Sequence, residues 1–281
     1  MSFANLKRNN GNLEKLTKAL EKMSDAGGKD TEENYWKPEI DKSGNGMATF
    51  RFLPTVDEDG ENDPWVKMYS HGFQGPGGWL IDNCLTTKGE KCPVCESNTL
   101  LWNSGVAADK KIASLRKRRL SHVSNIYMID DIKHPENNGK VFLFRYGIKI
   151  FEKIKGAAKP EFSDEKSFSP FDVDTGANFK LKVRKVEGFQ NYDKSEFESV
   201  GPLFDDMSKM ANLSGYSLQA ILDDKVFKTF DEIQSRLNKV LGIGGTVRTT
   251  MEQAKMAPKT VVDEETNEDY DMSYFESLVD D

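Results

Sequence analysis

The sequence predicts an α+β protein with a mainly β core, built as a small barrel with helical additions. Three observations carry this reading. Phe179, Leu181 and Val183 alternate with Lys180, Lys182 and Arg184, a strand with one apolar and one cationic face. Several other short strand-like segments are separated by turns rich in glycine, proline and asparagine. Thr229-Phe-Asp-Glu232 is a capping box ahead of an apolar stripe at Ile233, Leu237, Val240 and Leu241, which predicts a helix that Gly242 ends.

In chain order, Leu13, Leu16, Leu20 and Met23 recur at helical spacing, and the glycines of Asp25–Asp30 end that segment. Residues 1–24 are therefore expected to form a separate basic arm. From Tyr35 the pattern changes. Thr49-Phe-Arg-Phe-Leu53 alternates and stops at Pro54, as a strand does. Trp65–Tyr69 and Trp79–Ile81 are short strands around a glycine-rich turn. Val123–Ile129 and Val141–Tyr146 are stronger ones, joined by the turn His134-Pro-Glu-Asn-Asn-Gly139. Beyond Gly244-Gly245 too little apolar surface remains to offset the entropy of ordering, so residues 246–281 are expected to be a disordered tail. The core then spans 25–245.

The net charge of −7 over 281 residues hides a strong asymmetry. No lysine or arginine follows Lys259, whereas residues 260–281 hold nine carboxylates; without those nine charges the rest of the chain is at +2. A slightly basic body with an acidic tail points to nucleic acid or to partner proteins. No run of eighteen apolar residues exists, so no membrane partner is expected. The first 25 residues carry Lys7, Arg8, Lys15, Lys18 and Lys22 without an apolar run, unlike a secretory signal. Three cysteines fit a reducing compartment. The expected location is intracellular, not secreted.

Those cysteines are the sharpest chemical signal. Cys84, Cys92 and Cys95 fall within 25 residues of His71. Cys92-Pro-Val-Cys95 is a knuckle whose two thiolates can bind one cation. A hairpin about Gly75-Pro-Gly-Gly78 can bring His71 to Cys84. Three thiolates and one imidazole form a closed tetrahedral set, which predicts one structural Zn²⁺. The alternatives are weaker. A redox pair lacks its βα context, and the deaminase pattern fails because Phe73 stands two residues after His71. A fourth protein ligand would also occupy the position that a reacting water needs.

The second signal is Lys110-Lys111 with Arg116-Lys117-Arg118-Arg119, six cations in ten residues. Phe142, Phe144 and Tyr146 share a face of a nearby strand, beside Arg145 and Lys149. Phe189 and Tyr192 follow the cationic strand of Lys180, Lys182 and Arg184. Charges for phosphates next to flat rings for unstacked bases are what single-stranded nucleic acid requires. No catalytic constellation is visible, so an enzyme is not expected.

At this point the chain resembles the single-stranded DNA-binding, helix-destabilising protein family of T-even-type bacteriophages. The likeness rests on Asn45-Gly46 with Arg51-Phe-Leu-Pro54, His71-Gly-Phe73 with Cys84 and Cys92-Pro-Val-Cys95, Pro135–Phe142, Gly176–Phe179 and Gly188-Phe-Gln-Asn-Tyr-Asp193. It runs through residues 35–240. The resemblance implies an OB-fold core with a zinc subdomain at about 65–120 and a cleft for single-stranded DNA, with Lys117, Arg118, Arg119, Phe144, Phe189 and Tyr192 in the cleft. It implies an amino-terminal arm, here with Lys7 and Arg8, that meets neighbouring copies for cooperative binding. It also implies an acidic tail for replication and recombination proteins, and a role in phage DNA replication, recombination and repair in the cytoplasm of the infected bacterium. The sequence departs from the family at His122 and Val123, where the familiar member has two aromatics. The loop between Cys84 and Cys92 is also shorter by two residues and lacks a tyrosine.

Overall fold

The computed structural model describes residues 34–55, 62–162, 164–205 and 213–243. The expected arm, with Lys7 and Arg8, and the expected tail lie outside the described residues. The described chain is mixed α+β with a mainly β core. Its strands are β1 (Tyr35–Trp36), β2 (Gly46–Phe52), β3 (Val66–Gly75), β4 (Gly78–Asn83), β5 (Arg119–Asp131), β6 (Val141–Tyr146), β7 (Ala177–Val186), β8 (Phe189–Asn191) and β9 (Glu196–Val200). Its helices are α1 (Pro93–Asn103), α2 (Ala107–Arg116), α3 (Ile148–Ala158) and α4 (Phe230–Leu241).

The strands run in the order β1-β6-β5-β2-β7-β8, with β3 paired to β5 and carrying β4, and β9 paired to β7. All pairs are antiparallel except β1 with β6. Among the described residues these ladders trace an open path and do not close a ring. Strand β5 organises the sheet because it is long enough to serve three partners in turn. Arg119–Val123 pair with β3, His122–Tyr127 with β6, and Ile126–Asp131 with β2.

That sharing divides the interior into two cores. Val66, Met68, Phe73, Leu80, Val123 and Leu143 pack with Leu85, Val94 and the α4 residues Ile233, Leu237 and Val240. Phe50, Phe52, Ile126, Met128, Phe144, Tyr146, Phe179 and Leu181 pack with Ile150 and Ile154 of α3. Each fully buried phenylalanine or leucine contributes about 1.5–3 kcal/mol relative to exposure. Strand β6 gives Leu143 to the first core and Phe144 to the second, so it is covered on both faces.

Arg51 is buried among this apolar surface and survives there because its fork is satisfied. Nε donates to Asn178 Oδ1 at 3.0 Å, Nη1 to the Asp172 carbonyl at 3.0 Å and Nη2 to the Gly201 carbonyl at 2.9 Å. It ties β2 to β7, to the loop before β7 and to the segment that follows β9. Helix α4 opens with the expected capping box and ends at Gly242 in the left-handed region, φ 69°.

Candidate metal centre and nucleic-acid interface

The four candidate metal ligands arrive from two local structures. The β3–β4 hairpin pairs Gly75 with Gly78 and His71 with Asp82, which carries Cys84 to the foot of β3, where its N–H donates to the Tyr69 carbonyl at 2.8 Å. Cys92 is the N-cap of α1, with Pro93 in the first turn, so the knuckle is a loop that becomes a helix. The donor atoms of His71, Cys84, Cys92 and Cys95 all lie within 4.8 Å of one another. His71 Nε2 is 3.5 Å from the sulfurs of both Cys92 and Cys95, and Cys84 Sγ is 3.5 Å from Cys95 Sγ. Tetrahedral Zn²⁺ with its usual bond lengths has edges of roughly 3.5–3.8 Å, so the set fits one such ion.

The surroundings complete that fit. His71 Nδ1 lies 3.1 Å from the Arg116 carbonyl; donating its proton there leaves Nε2 free to ligate. Burial disfavours an imidazolium at His71, but thiolate character at Cys84 and Cys92 outweighs it and holds the pKa up at about 9. Hydrogen bonds from Cys84 and Cys95 push Cys92 down, while the same partnership pushes Cys95 up. The cluster therefore concentrates negative charge that a bound cation neutralises, with release of protons.

The basic run is built onto this centre. Arg116 ends α2, and its guanidinium lies over Phe73, 5.3 Å from the ring centre. Arg118 lies over Tyr69 at 4.3 Å and donates from Nη1 to Thr86 Oγ1 at 2.8 Å. The same hydroxyl is 3.1 Å from Cys84 Sγ. Lys117 is half-buried, and Arg119 opens β5 opposite Ser70. Thus one residue of the four-donor cluster holds the Arg116 backbone, and another holds the Arg118 side chain through Thr86.

The remaining expected interface residues fare differently. Phe144 and Tyr146 were expected on a DNA face, but they are 4% and 3% exposed and stack on each other with ring centres 5.5 Å apart. They are core side chains. Alternation puts them on one strand face but leaves open whether that face is core or surface; it is the second core. Arg145 points to the other side, over the Tyr35 ring at 5.5 Å. Lys180, Lys182 and Arg184 do not form an open cationic face either. Lys180 pairs with Glu198 at 3.0 Å, Lys182 with Glu196 at 2.6 Å and Arg184 with Asp193 at 2.5 Å. Strand alternation located these cations correctly but was silent on the carboxylates brought alongside by β9 and its approach. Phe189 is exposed just after a two-residue turn at Glu187-Gly188, both with positive φ, whereas Tyr192 is half-buried and donates to Gln190 Oε1 at 3.1 Å. Strand β7, with Lys180, Lys182 and Arg184, is separated from β5 by β2, and β8, with Phe189, lies one strand further out.

Sequence reasoning missed Tyr69, Lys67 and Thr86. Lys67 pairs with His122 and Tyr69 with Leu120 across the β3–β5 ladder, so all four point to one face. Lys67 is exposed there. The alternation of Trp65–Tyr69 was the available signal, because it places 65, 67 and 69 together.

Residues 44–241 match the family model described as gp32 DNA binding protein like. Single-stranded DNA-binding proteins of Enterobacteria phages T2 and T4 are each 38% identical over 233 residues, which is 78% of this chain and 74% and 75% of theirs. A single-stranded DNA-binding protein of Enterobacteria phage RB70 is 40% identical over 91 residues, covering 31% of this chain and 73% of that protein. The matched span contains the metal cluster, the basic run and both cores; the chain belongs to the gp32-like DNA-binding protein family.

Proposed function

We propose that this is a non-enzymatic, sequence-independent single-stranded DNA-binding protein that coats exposed strands during phage DNA replication, recombination and repair inside the infected bacterium. The observation that carries the reading is the anchoring of Arg116–Arg119 on the four-donor cluster. Cations held at fixed positions beside the half-exposed Tyr69 ring can follow a flexible backbone without reading its bases. The ion is one structural Zn²⁺ held by His71, Cys84, Cys92 and Cys95. All four donors come from the protein, so the ion's chemistry here is to organise the fold. The β core serves as an OB-fold whose cleft includes Lys117, Arg118, Arg119 and Phe189. Membership of the family and the names of its phage T2 and T4 relatives support this reading. Residues 1–24, through Lys7 and Arg8, engage neighbouring copies along the strand, and 246–281 meet partner proteins of replication and recombination. Their charge and apolar patterning support those roles.

A filter-binding titration with single-stranded and duplex DNA at several salt concentrations tests the function. Single strands should bind far more tightly, with a log–log salt slope of about −0.7 per phosphate contact. Equal affinity for duplex, or no dependence on salt, would overturn the proposal.

A further inference from the structure

With Phe144 and Tyr146 in the core, the bases of a bound strand need another flat surface near the anchored cations. Tyr69, with Arg118 over it, answers that need. Its backbone is pinned on three sides: its N–H donates to Thr87 Oγ1 at 2.9 Å, and its carbonyl accepts from the Thr87 hydroxyl at 3.3 Å and from the Cys84 N–H at 2.8 Å. The side chain is half-buried, packed against the metal-side core, and the exposed guanidinium of Arg118 lies over the ring. Lys67 stands exposed two residues away on the same face. Resting on the single-strand reading above, we propose that Tyr69 and Arg118 form a nucleobase slot, in which a base of the strand stacks on the outer face of the Arg118 guanidinium, which the Tyr69 ring backs at 4.3 Å.

The slot's chemistry is indifferent to base identity. Every base has a π-face for the planar guanidinium, which stacks as well as it binds phosphate, and the phenol ring behind it holds that plane in place. Thr86 is the positioning residue. Its oxygen accepts from Arg118 Nη1, and its own proton is then free for Cys84 Sγ 3.1 Å away, so the stacking guanidinium is referenced to a residue of the four-donor cluster. The fold supplies the rest of the order, because a guanidinium already seated on a ring pinned at its backbone loses little freedom on stacking.

The test measures binding of the full chain to a one-site oligothymidylate and to the same strand with its bases removed. Tyr69→Leu should weaken binding to the normal strand by about 5- to 100-fold with an unchanged salt slope. It should leave the abasic strand unaffected, and Tyr69→Phe should retain wild-type binding to both. Arg118→Ala should weaken both strands and reduce the slope. Thr86→Val should move toward the Arg118→Ala result, with Thr86→Ser restoring wild type. Wild-type binding that survives Tyr69→Leu overturns the slot and leaves the function standing. Equal loss on both strands, with Tyr69→Phe also impaired, assigns Tyr69 to packing and likewise overturns the slot. Failure of the wild-type chain to bind either strand overturns both readings together.

Discussion

His122 shows how one residue stores a pH dependence in the fold. It is 1% exposed, and neither ring nitrogen has a hydrogen-bond partner. The ring lies 3.8 Å from Phe151 at an interplanar angle of 6°, with Tyr146 beyond it at 5.7 Å. Burial, with Lys67 nearby on β3, pushes its pKa down to about 4. Tyr146, on β6, does not offset this, because burial raises its own pKa and keeps the phenol neutral. The folded ring is thus neutral where the unfolded one begins to protonate. Its contribution is complete above pH 6.5 and is lost as pH falls toward 4, by about 3 kcal/mol across that window. Urea unfolding of wild type and His122→Phe at stepped pH should show the variant losing less stability between pH 6.5 and 4. Parallel curves would mean that the ring is hydrated or already paired. The sequence marked His122 only as a departure from an aromatic position. That its neighbours turn it into a neutral, ring-like filler is a property of packing, which no local pattern carries.

Among the elements, the β3–β4 hairpin and α4 are locked end to end. The Gly77 N–H donates to the Val240 carbonyl at 2.8 Å, and the hairpin tip lies so close to the helix that a Cβ at Gly77 would stand 1.9 Å from the Lys239 carbonyl oxygen. Asp82, buried on β4, is held by Lys228 and by Arg236 of α4. Gly77→Ala should therefore destabilise by about 1–3 kcal/mol in chemical denaturation, since backbone must move. It should also weaken metal retention, because the same hairpin presents His71 and Cys84. A stable variant with loosened metal would show that the contact serves the centre alone; no change in either would show that the tip can swing away. Strands β2 to β7 and α4 were legible because alternation, the capping box and Gly242 are local signals, whereas the short strands β1, β8 and β9 carry no such pattern. Helix α1 was not, because its N-cap is Cys92, a metal ligand with no side-chain cap. Helix α3 was missed for a similar reason: Gly147 caps it without a side chain, and its Ile-rich first turn follows β6 directly. The cations of β7 were read on the correct face, yet their pairing with Glu196, Glu198 and Asp193 depends on which strand lies alongside.

At the scale of the whole molecule, the two cores meet along β5, but only one contains the metal cluster. Cys84 and Cys92 are themselves members of the first core, together with Leu85 and Val94. The second core draws on β2, β7 and α3, and none of the four clustered donors belongs to it. Removing the ion should leave thiolate charge buried beside apolar side chains, a penalty relieved only by protonation or by local opening. Chelation should thus lower the melting temperature, and limited proteolysis should cut first between Cys84 and Arg119 and only later within 141–200. The basic run lies inside the segment that opens, since the Arg116 carbonyl rests on His71 and Arg118 rests on Thr86. Affinity for single strands should fall with the metal, and the salt slope should fall with it, because the phosphate contacts are lost as positioned charges. Re-addition of Zn²⁺ should restore both. Uniform proteolysis of the two cores would show that they unfold as one unit, and an unchanged salt slope in the metal-free protein would separate the cations from the centre that holds them.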